Sequence, residues 1–171
     1  VADIMGFADN DIIVNVQGDE PCLPASLINQ VAEDLALHND ADIATLFSQV
    51  DQEKQVFDAN VVKVVMDAQG YALYFSRAPI PWMREHFDQQ SELPPELPHY
   101  RHIGLYAYRA HFLSDYTELS PCILEQEESL EQLRALYYGH KIHLTAANIN
   151  PGHGVDTQQD LDEVRALLAT K

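Results

Sequence analysis

The sequence predicts an α/β fold, on three observations. A short β-branched run is followed by an amphipathic helical stretch and then another strand, two later apolar runs flank a four-residue polar turn, and a helix and a strand follow one another again near the C-terminal end. Taken in order, Asp11-Ile-Ile-Val-Asn-Val16 reads as a buried strand that ends in the turn Gln17-Gly-Asp-Glu-Pro21. From Pro24 the period lengthens, and Leu27, Ile28, Val31 and Leu35 share one face of a helix that closes near His38-Asn39-Asp40. Residues 43–50 read as a second strand. Residues 61–66 and 71–75 flank Asp67-Ala-Gln-Gly70, so they are expected to form an antiparallel hairpin.

Residues 79–100 carry five of the nine prolines and are expected to form an extended arm or loop. A strand at 103–108 follows. Ser120-Pro121 offers a cap and a first-turn proline for one helix running through Leu124, Leu130, Leu133 and Leu136 to a natural stop at Gly139. Residues 142–147 read as a strand, and after the turn Asn150-Pro-Gly-His-Gly-Val-Asp156 a last helix, with Thr157 as its cap, carries Leu161, Val164, Leu167 and Leu168. At the other end Val1, Ile4, Met5 and Ala8 sit at helical spacing with no capping residue before them. The chain therefore reads either as starting inside a helix or as a trimmed intact domain.

With 171 residues, 46% of them hydrophobic, the chain 1–171 is expected to be a single domain with a real core. Ten Lys and Arg against 27 Asp and Glu give a formal net charge of −17, which excludes a general nucleic-acid or anionic-membrane binder, since both need a basic footprint. Any anionic ligand must meet a locally built positive site. Cys22 and Cys122 have no CxxC partner and read as free thiols, in keeping with a reducing cytoplasm. No apolar run approaches the ~20 residues of a membrane span.

Two acidic turns stand out, one with Asp19 after the first strand and one with Asp156 before the last helix. Brought together at one sheet edge, two carboxylates suit Mg²⁺, a hard cation that prefers oxygen ligands and shares them with substrate phosphates. Taken singly, Asp19 also reads as a turn former and Asp156 as an acid placed for a helix dipole. The eight histidines show no zinc spacing, no Ser or Cys lies in a nucleophile motif, and no glycine-rich phosphate loop is present. Arg77 follows a strand and has the planar fork that clamps a carboxylate, or else forms an ordinary surface ion pair. Glu131 and Gln132 sit in a helix where Ser129-x-x-Gln132 resembles a capping box, and Tyr106 reads as a packed strand aromatic.

Five ordered blocks together carry a resemblance: Val14-Asn-Val-Gln-Gly-Asp-Glu-Pro21, Tyr71-Ala-Leu-Tyr-Phe-Ser-Arg-Ala78 with Ile80-Pro-Trp82, Arg101-His-Ile-Gly-Leu-Tyr106, Leu130-Glu-Gln-Leu-Arg134 and Gly154-Val-Asp-Thr157. They resemble the 3-deoxy-manno-octulosonate cytidylyltransferases, or CMP-KDO synthetases, over nearly the whole chain. The resemblance implies a nucleotide-diphospho-sugar transferase fold, with a mixed, mainly parallel sheet and flanking helices. It implies attack of the anomeric hydroxyl of KDO on the α-phosphorus of CTP, giving CMP-KDO and pyrophosphate for lipopolysaccharide biosynthesis.

By motif, Asp19 and Asp156 match the family's catalytic Mg²⁺ ligands. Arg77 matches the residue that faces the KDO carboxylate. His102, Tyr106, Glu131 and Gln132 match sugar-pocket positions, with Gln17 a further member. A cytoplasmic homodimer is implied as well, with the hairpin and the 79–100 arm as its expected surface. The family's opening strand and basic glycine-containing loop, which grip the CTP phosphates, have no counterpart here, so 1–171 is expected to be the C-terminal part of a larger cytidylyltransferase domain. A CMP-sialic-acid-type synthetase and a noncatalytic sugar-binding fragment are the alternatives.

Overall fold

The computed structural model describes residues 5–18, 20–87, 97–152, 155 and 158–169. The β-branched runs become strands β1 (Ile12–Asn15), β2 (Ile43–Gln49), β3 (Lys63–Met66), β4 (Ala72–Ser76), β5 (Tyr100–Arg109) and β6 (Ile142–Ala146). Between and after them lie helices α1 (Ala25–Leu37), α2 (Glu53–Phe57), α3 (Arg84–Phe87), α4 (Ala110–Glu118), α5 (Ile123–Glu128), α6 (Gln132–Tyr137) and α7 (Gln158–Ala169).

The strands form one sheet in the order β4-β3-β5-β2-β6, with β1 also paired to β5. The sheet is mixed but mostly antiparallel, which corrects the expectation of a mainly parallel one: only β2 and β6 pair in parallel, and β5 runs against β1, β2 and β3. The physical reason lies in β5. The β1-α1-β2 crossover does leave β1 and β2 pointing the same way, as such a unit should, but the ten-residue β5 stands between them and turns both contacts antiparallel. The alternation of strand and helix thus reports direction, and says nothing of which strands are neighbours.

The two faces of the sheet are covered separately. Leu27, Val31 and Leu35 of α1, all fully buried, pack on Ala44, Leu46, Ile103, Leu105 and Ala107, each large side chain contributing about 1.5–3 kcal/mol by leaving water. Arg109 closes the far end of α1. Its buried guanidinium donates to the carbonyls of Leu35 at 3.0 Å, His38 at 3.3 Å and Ala41 at 2.9 Å, meeting orphan carbonyls and the negative end of the helix dipole together. On the opposite face Phe112 of α4 and Leu133 and Ala135 of α6 pack on Ile43, Val64, Phe75, Tyr106, Ile142 and Leu144.

The hairpin expected at 61–75 forms. Its turn is held by Asp67, whose side chain accepts from the amides of Gln69 at 2.8 Å and Tyr71 at 2.9 Å. The tip then reaches the far edge of the sheet, where Tyr71 bridges His143 and the amide of Leu144 donates to the Gly70 carbonyl at 2.9 Å. Gly70 is required here, because its φ is +89° and a Cβ would lie 2.8 Å from His143 Nε2.

Instead of one helix over 120–139 there are two. Ser129 adopts the left-handed conformation at φ 52°, and the amides of Ser129 and Leu130 both donate to the Glu125 carbonyl, so α5 ends in a Schellman-type cap before α6 begins. Gly139, at φ 87°, does stop the second helix. The proline-rich arm contains the single turn α3, and Met83 and Phe87 pack against Val50, Val56 and Leu97; residues 88–96 lie outside the described residues.

Candidate active site

A cavity of about 260 Å³ opens on the aromatic face of the sheet. Its floor is Asn15 of β1, Ile43 of β2 and Tyr106 and Tyr108 of β5; its wall is Phe112, Leu113 and Tyr116 of α4; Glu131, just before α6, and Gln132 and Ala135 of α6 close it. The placement follows from simple periods. Tyr106 and Tyr108 are two apart on a strand and so share a face, and Phe112 and Tyr116 are four apart on a helix and so stack along it. The rings run in series, with centroids 5.6 Å from Tyr106 to Tyr108, 6.0 Å on to Phe112 and 5.6 Å on to Tyr116.

Burial raises the pKa of Tyr106, Tyr108 and Tyr116, with the Glu131 charge acting in the same direction on each, so all three keep their phenolic protons. Tyr116 donates to the Glu131 carbonyl at 3.1 Å and carries the Arg134 guanidinium over its ring at 4.7 Å. Arg134 is in turn held by Glu125 at 2.7 Å. Gln132 is 7% exposed, yet no group among the described residues hydrogen-bonds its side-chain amide. Its polar atoms are not sealed from solvent, since among the described residues His99 Nδ1 is the buried side-chain polar atom without a partner; the Gln132 amide instead lines the cavity with its hydrogen-bonding capacity unused by the protein.

Of the residues singled out from the sequence, Tyr106, Glu131 and Gln132 come together in this cavity. His102 is not one of the lining residues, but its ring lies 5.3 Å from that of Tyr106, which is. Gln17 is exposed two residues beyond Asn15, past the end of β1. Arg77 is engaged elsewhere: Nε donates to the Glu128 carbonyl at 2.7 Å, Nη1 to Ala59 at 2.8 Å and Nη2 to Ser129 at 3.4 Å, while its backbone amide donates to the Glu128 carboxylate at 2.8 Å. It ties β4 to the α5–α6 break that sets the direction of Glu131 and Gln132. Asp19 and Asp156 lie outside the described residues.

Sequence reasoning did not find Asn15, Tyr108, Phe112 or Tyr116; the alternation of Tyr106 with Tyr108 was the available signal. It also missed Asp34, His38 and His143, the one group of three among the described residues close enough to hold a metal ion, with ligand atoms within 4.8 Å of one another. Only Asp34 and His38 carried a hint, at helical i, i+4 spacing; His143 comes from another element altogether. Its Nδ1 is 2.7 Å from Asp34 Oδ2 and its ring stacks on His38 at 3.5 Å. Asp34 offers a carboxylate oxygen and the two rings offer nitrogen, so a cation held there would take the place of the proton between Asp34 and His143. Burial works against charge on His143, but the Asp34 hydrogen bond and charge outweigh it, and its pKa is raised.

An aromatic cavity on one face of a mixed sheet, floored by strand residues and closed by a short helix, has the form of a small-molecule site. The chain belongs to the cytidylyltransferase family, whose model matches residues 1–142. It is 56% identical over 167 residues to the 3-deoxy-manno-octulosonate cytidylyltransferase of Nitrosococcus oceani, covering 96% of this chain and 64% of that one. It is 57% identical over 166 residues to the enzyme of the same name from Yersinia enterocolitica, covering 97% and 66%. The chain thus spans about two thirds of the length of these curated relatives. Among solved structures it is similar to a CMP:2-keto-3-deoxy-manno-octonic acid synthetase complexed with CTP, with TM-score 0.83 and 34% identity over 99% of this chain and 66% of that one. A 4-diphosphocytidyl-2C-methyl-D-erythritol synthase shares the fold, at TM-score 0.54 and 14% identity. No helix among the described residues is long and apolar enough to cross a membrane.

Proposed function

We propose that this chain carries the sugar-binding side of a cytidylyl transfer from CTP to KDO, releasing pyrophosphate and yielding CMP-KDO for lipopolysaccharide biosynthesis. The observation that carries the reading is the cavity in which Tyr106, Glu131 and Gln132 meet, with the unpartnered Gln132 amide in its wall. Three tyrosine hydroxyls, two amides and a carboxylate against aromatic rings suit a polyhydroxylated acid: the rings cover its carbon skeleton, and the polar groups pair with its hydroxyls. The 56–57% identity to enzymes named for this reaction supports the same substrates.

Mg²⁺ is the proposed cofactor, with Asp19 and Asp156 as its ligands by motif and the Asp34, His38 and His143 group as the described residues able to hold a metal. When bound, Mg²⁺ offsets charge on the nucleotide phosphates and lowers the pKa of a hydroxyl it touches. The chain's own groups orient the sugar and exclude water from its apolar side, and positioning of this kind contributes much of the rate. Arg77, the residue that by motif faces the KDO carboxylate, acts on the site through the turn its fork anchors, and Gln17 is a further sugar-site member by motif. A cytoplasmic homodimer, with the hairpin and arm at its surface, completes the proposal. Charge reversal at Arg84 and Glu85 is expected to shift sedimentation toward the monomer.

The test is pyrophosphate release from CTP, Mg²⁺ and either KDO or sialic acid, measured on the full-length gene product and the 171-residue chain side by side. Turnover of KDO by the full-length product is the expected result. Turnover of sialic acid in preference, or of neither sugar, overturns the reading.

A further inference from the structure

The register of β2 on β5 slips between Thr45 and Leu46. Thr45 pairs with Tyr106 and the next residue, Leu46, pairs with Ile103, so Gly104 and Leu105 bulge from the ladder. In a regular strand residues four apart are separated by about 13 Å, and the bulge draws the His102 and Tyr106 ring centroids to 5.3 Å. The carbonyls of Ile103 and Leu105 meet the fully buried Thr45 Oγ1 at 3.0 and 2.9 Å, and His102 Nε2 stands 3.0 Å from the same oxygen.

A threonine hydroxyl has one proton and two lone pairs, and a carbonyl oxygen can only accept. The proton is therefore shared between the two carbonyls, and the hydroxyl oxygen is left to accept from His102. We infer that Thr45 is a positioning residue for His102: its hydroxyl fixes the imidazole as the Nε2–H tautomer and leaves Nδ1 as a lone-pair acceptor for a hydroxyl of the sugar. The sugar in that statement rests on the proposed function; the tautomer rests on Thr45 and the two carbonyls alone.

The opposite tautomer would turn the hydroxyl proton toward Nε2 and press two carbonyl oxygens against a bare oxygen in a buried site, the costly arrangement for buried polar groups. A doubly protonated ring is disfavoured as well, since burial, helped by the Arg101 charge, pushes the His102 pKa down to about 3. No group among the described residues hydrogen-bonds Nδ1. Phe75 holds the ring edge-on at 5.0 Å and Tyr106 flanks it, so the free nitrogen belongs to a ring that cannot swing without disturbing the cavity floor.

The experiment is long-range ¹H–¹⁵N correlation of the imidazole nitrogens in the ¹⁵N-labelled full-length protein at neutral pH, with His102 assigned by the signals lost in His102→Gln. Wild type is expected to show a protonated Nε2 and an unprotonated Nδ1. Thr45→Ser keeps that pattern, and Thr45→Val, which offers no lone pair, loses it. KDO affinity measured alongside falls about tenfold in Thr45→Val, the scale of one hydrogen bond, and is restored in Thr45→Ser.

An Nδ1–H or charged ring in wild type overturns the inference, and wild type and Thr45→Ser decide this even if Thr45→Val does not fold. A Thr45→Val protein with an unchanged tautomer, or a changed tautomer with unchanged KDO affinity, overturns it too. If wild type shows the Nε2–H tautomer, lost in Thr45→Val, yet binds no KDO, the hold of Thr45 on His102 stands and the KDO reading falls.

Discussion

The two faces of the sheet are built from different chemistry by strands that alternate between them. Toward α1 the strands send Ala44, Leu46, Ile103, Leu105 and Ala107, small and aliphatic, which interdigitate with Leu27, Val31 and Leu35. Toward α4 and α6 they send Ile43, Tyr106 and Tyr108, and the covering helices add Phe112 and Tyr116. Flexible aliphatic chains close up on each other; rigid rings held by neighbours on both sides leave a gap that polar groups can line. Both faces are packed, Leu133, Ile142 and Leu144 lying buried on the second, but only the second also holds the cavity described above. Substitutions in the α1 layer should therefore move stability and leave sugar binding alone, and substitutions of the polar groups that line the cavity should do the reverse.

The sharpest place to break this division is the rim of the α1 face, where Asp34 and His143, both under 10% exposed, form the charged pair. Asp34→Ala strands His143 without its partner and is expected to cost about 3 kcal/mol, the scale of a buried pair broken on one side, read by urea denaturation. The pair also fixes a pH dependence. The folded pKa of His143 is raised above its ordinary 6.5, so its contribution is fully present below about 6.5 and is lost as pH rises through the raised value. Wild-type stability should decline over that window, and Asp34→Asn should flatten the decline; a flat wild-type profile would remove the pair from the account.

Leu35→Ala tests the aliphatic face itself. Leu35 is fully buried, and its truncation should cost about 2–3 kcal/mol with no change in KDO affinity. On the aromatic face Gln132→Ala should lower KDO affinity about tenfold, one hydrogen bond's worth, with stability little changed because the amide lines the cavity and makes no hydrogen bond among the described residues. Loss of stability in Gln132→Ala at constant affinity would make that amide a packing element and dissolve the contrast between the faces.

How far the sequence foretold this architecture differs from element to element. Helix α1 and strands β1, β2, β3, β4 and β6 were legible because period and turn residues are local: Leu27, Val31 and Leu35 declare a face, and Asp67 and Gly70 declare a hairpin. The place of β5 between β1 and β2 was not, since pairing partners are chosen by long-range packing that no window contains. Helix α4 carries only Ala110 and Phe112 as buried residues and gave too thin a stripe to read. The break at Ser129 escaped because a serine in the left-handed conformation carries no glycine signature. The site shows the same division. Tyr106, Glu131 and Gln132 came from motif blocks, while Thr45, His143 and Asn15 acquire meaning only once β5 and β6 are in place beside them.

Arg77 gives the smallest predicted effect and the finest test, because it belongs to neither face. Its fork spans three carbonyls, from Ala59, Glu128 and Ser129, and beside it Lys63, fully buried, donates from Nζ to the carbonyls of Asp58, Val61 and Arg77 itself at 2.8, 2.7 and 2.6 Å. These two cations fasten the hairpin and the α5–α6 break into one frame. A lysine in place of Arg77 keeps the charge but cannot span three divergent acceptors, so Arg77→Lys should cost about 1 kcal/mol of stability. If the turn it anchors aims Glu131 and Gln132 into the cavity, KDO affinity should fall in the same variant, and a second change at Gln132 should then add less than it does alone. Full additivity of Arg77→Lys with Gln132→Ala would mean that the frame and the cavity wall are independent, and that Arg77 acts on the sugar, if at all, by some route other than the turn.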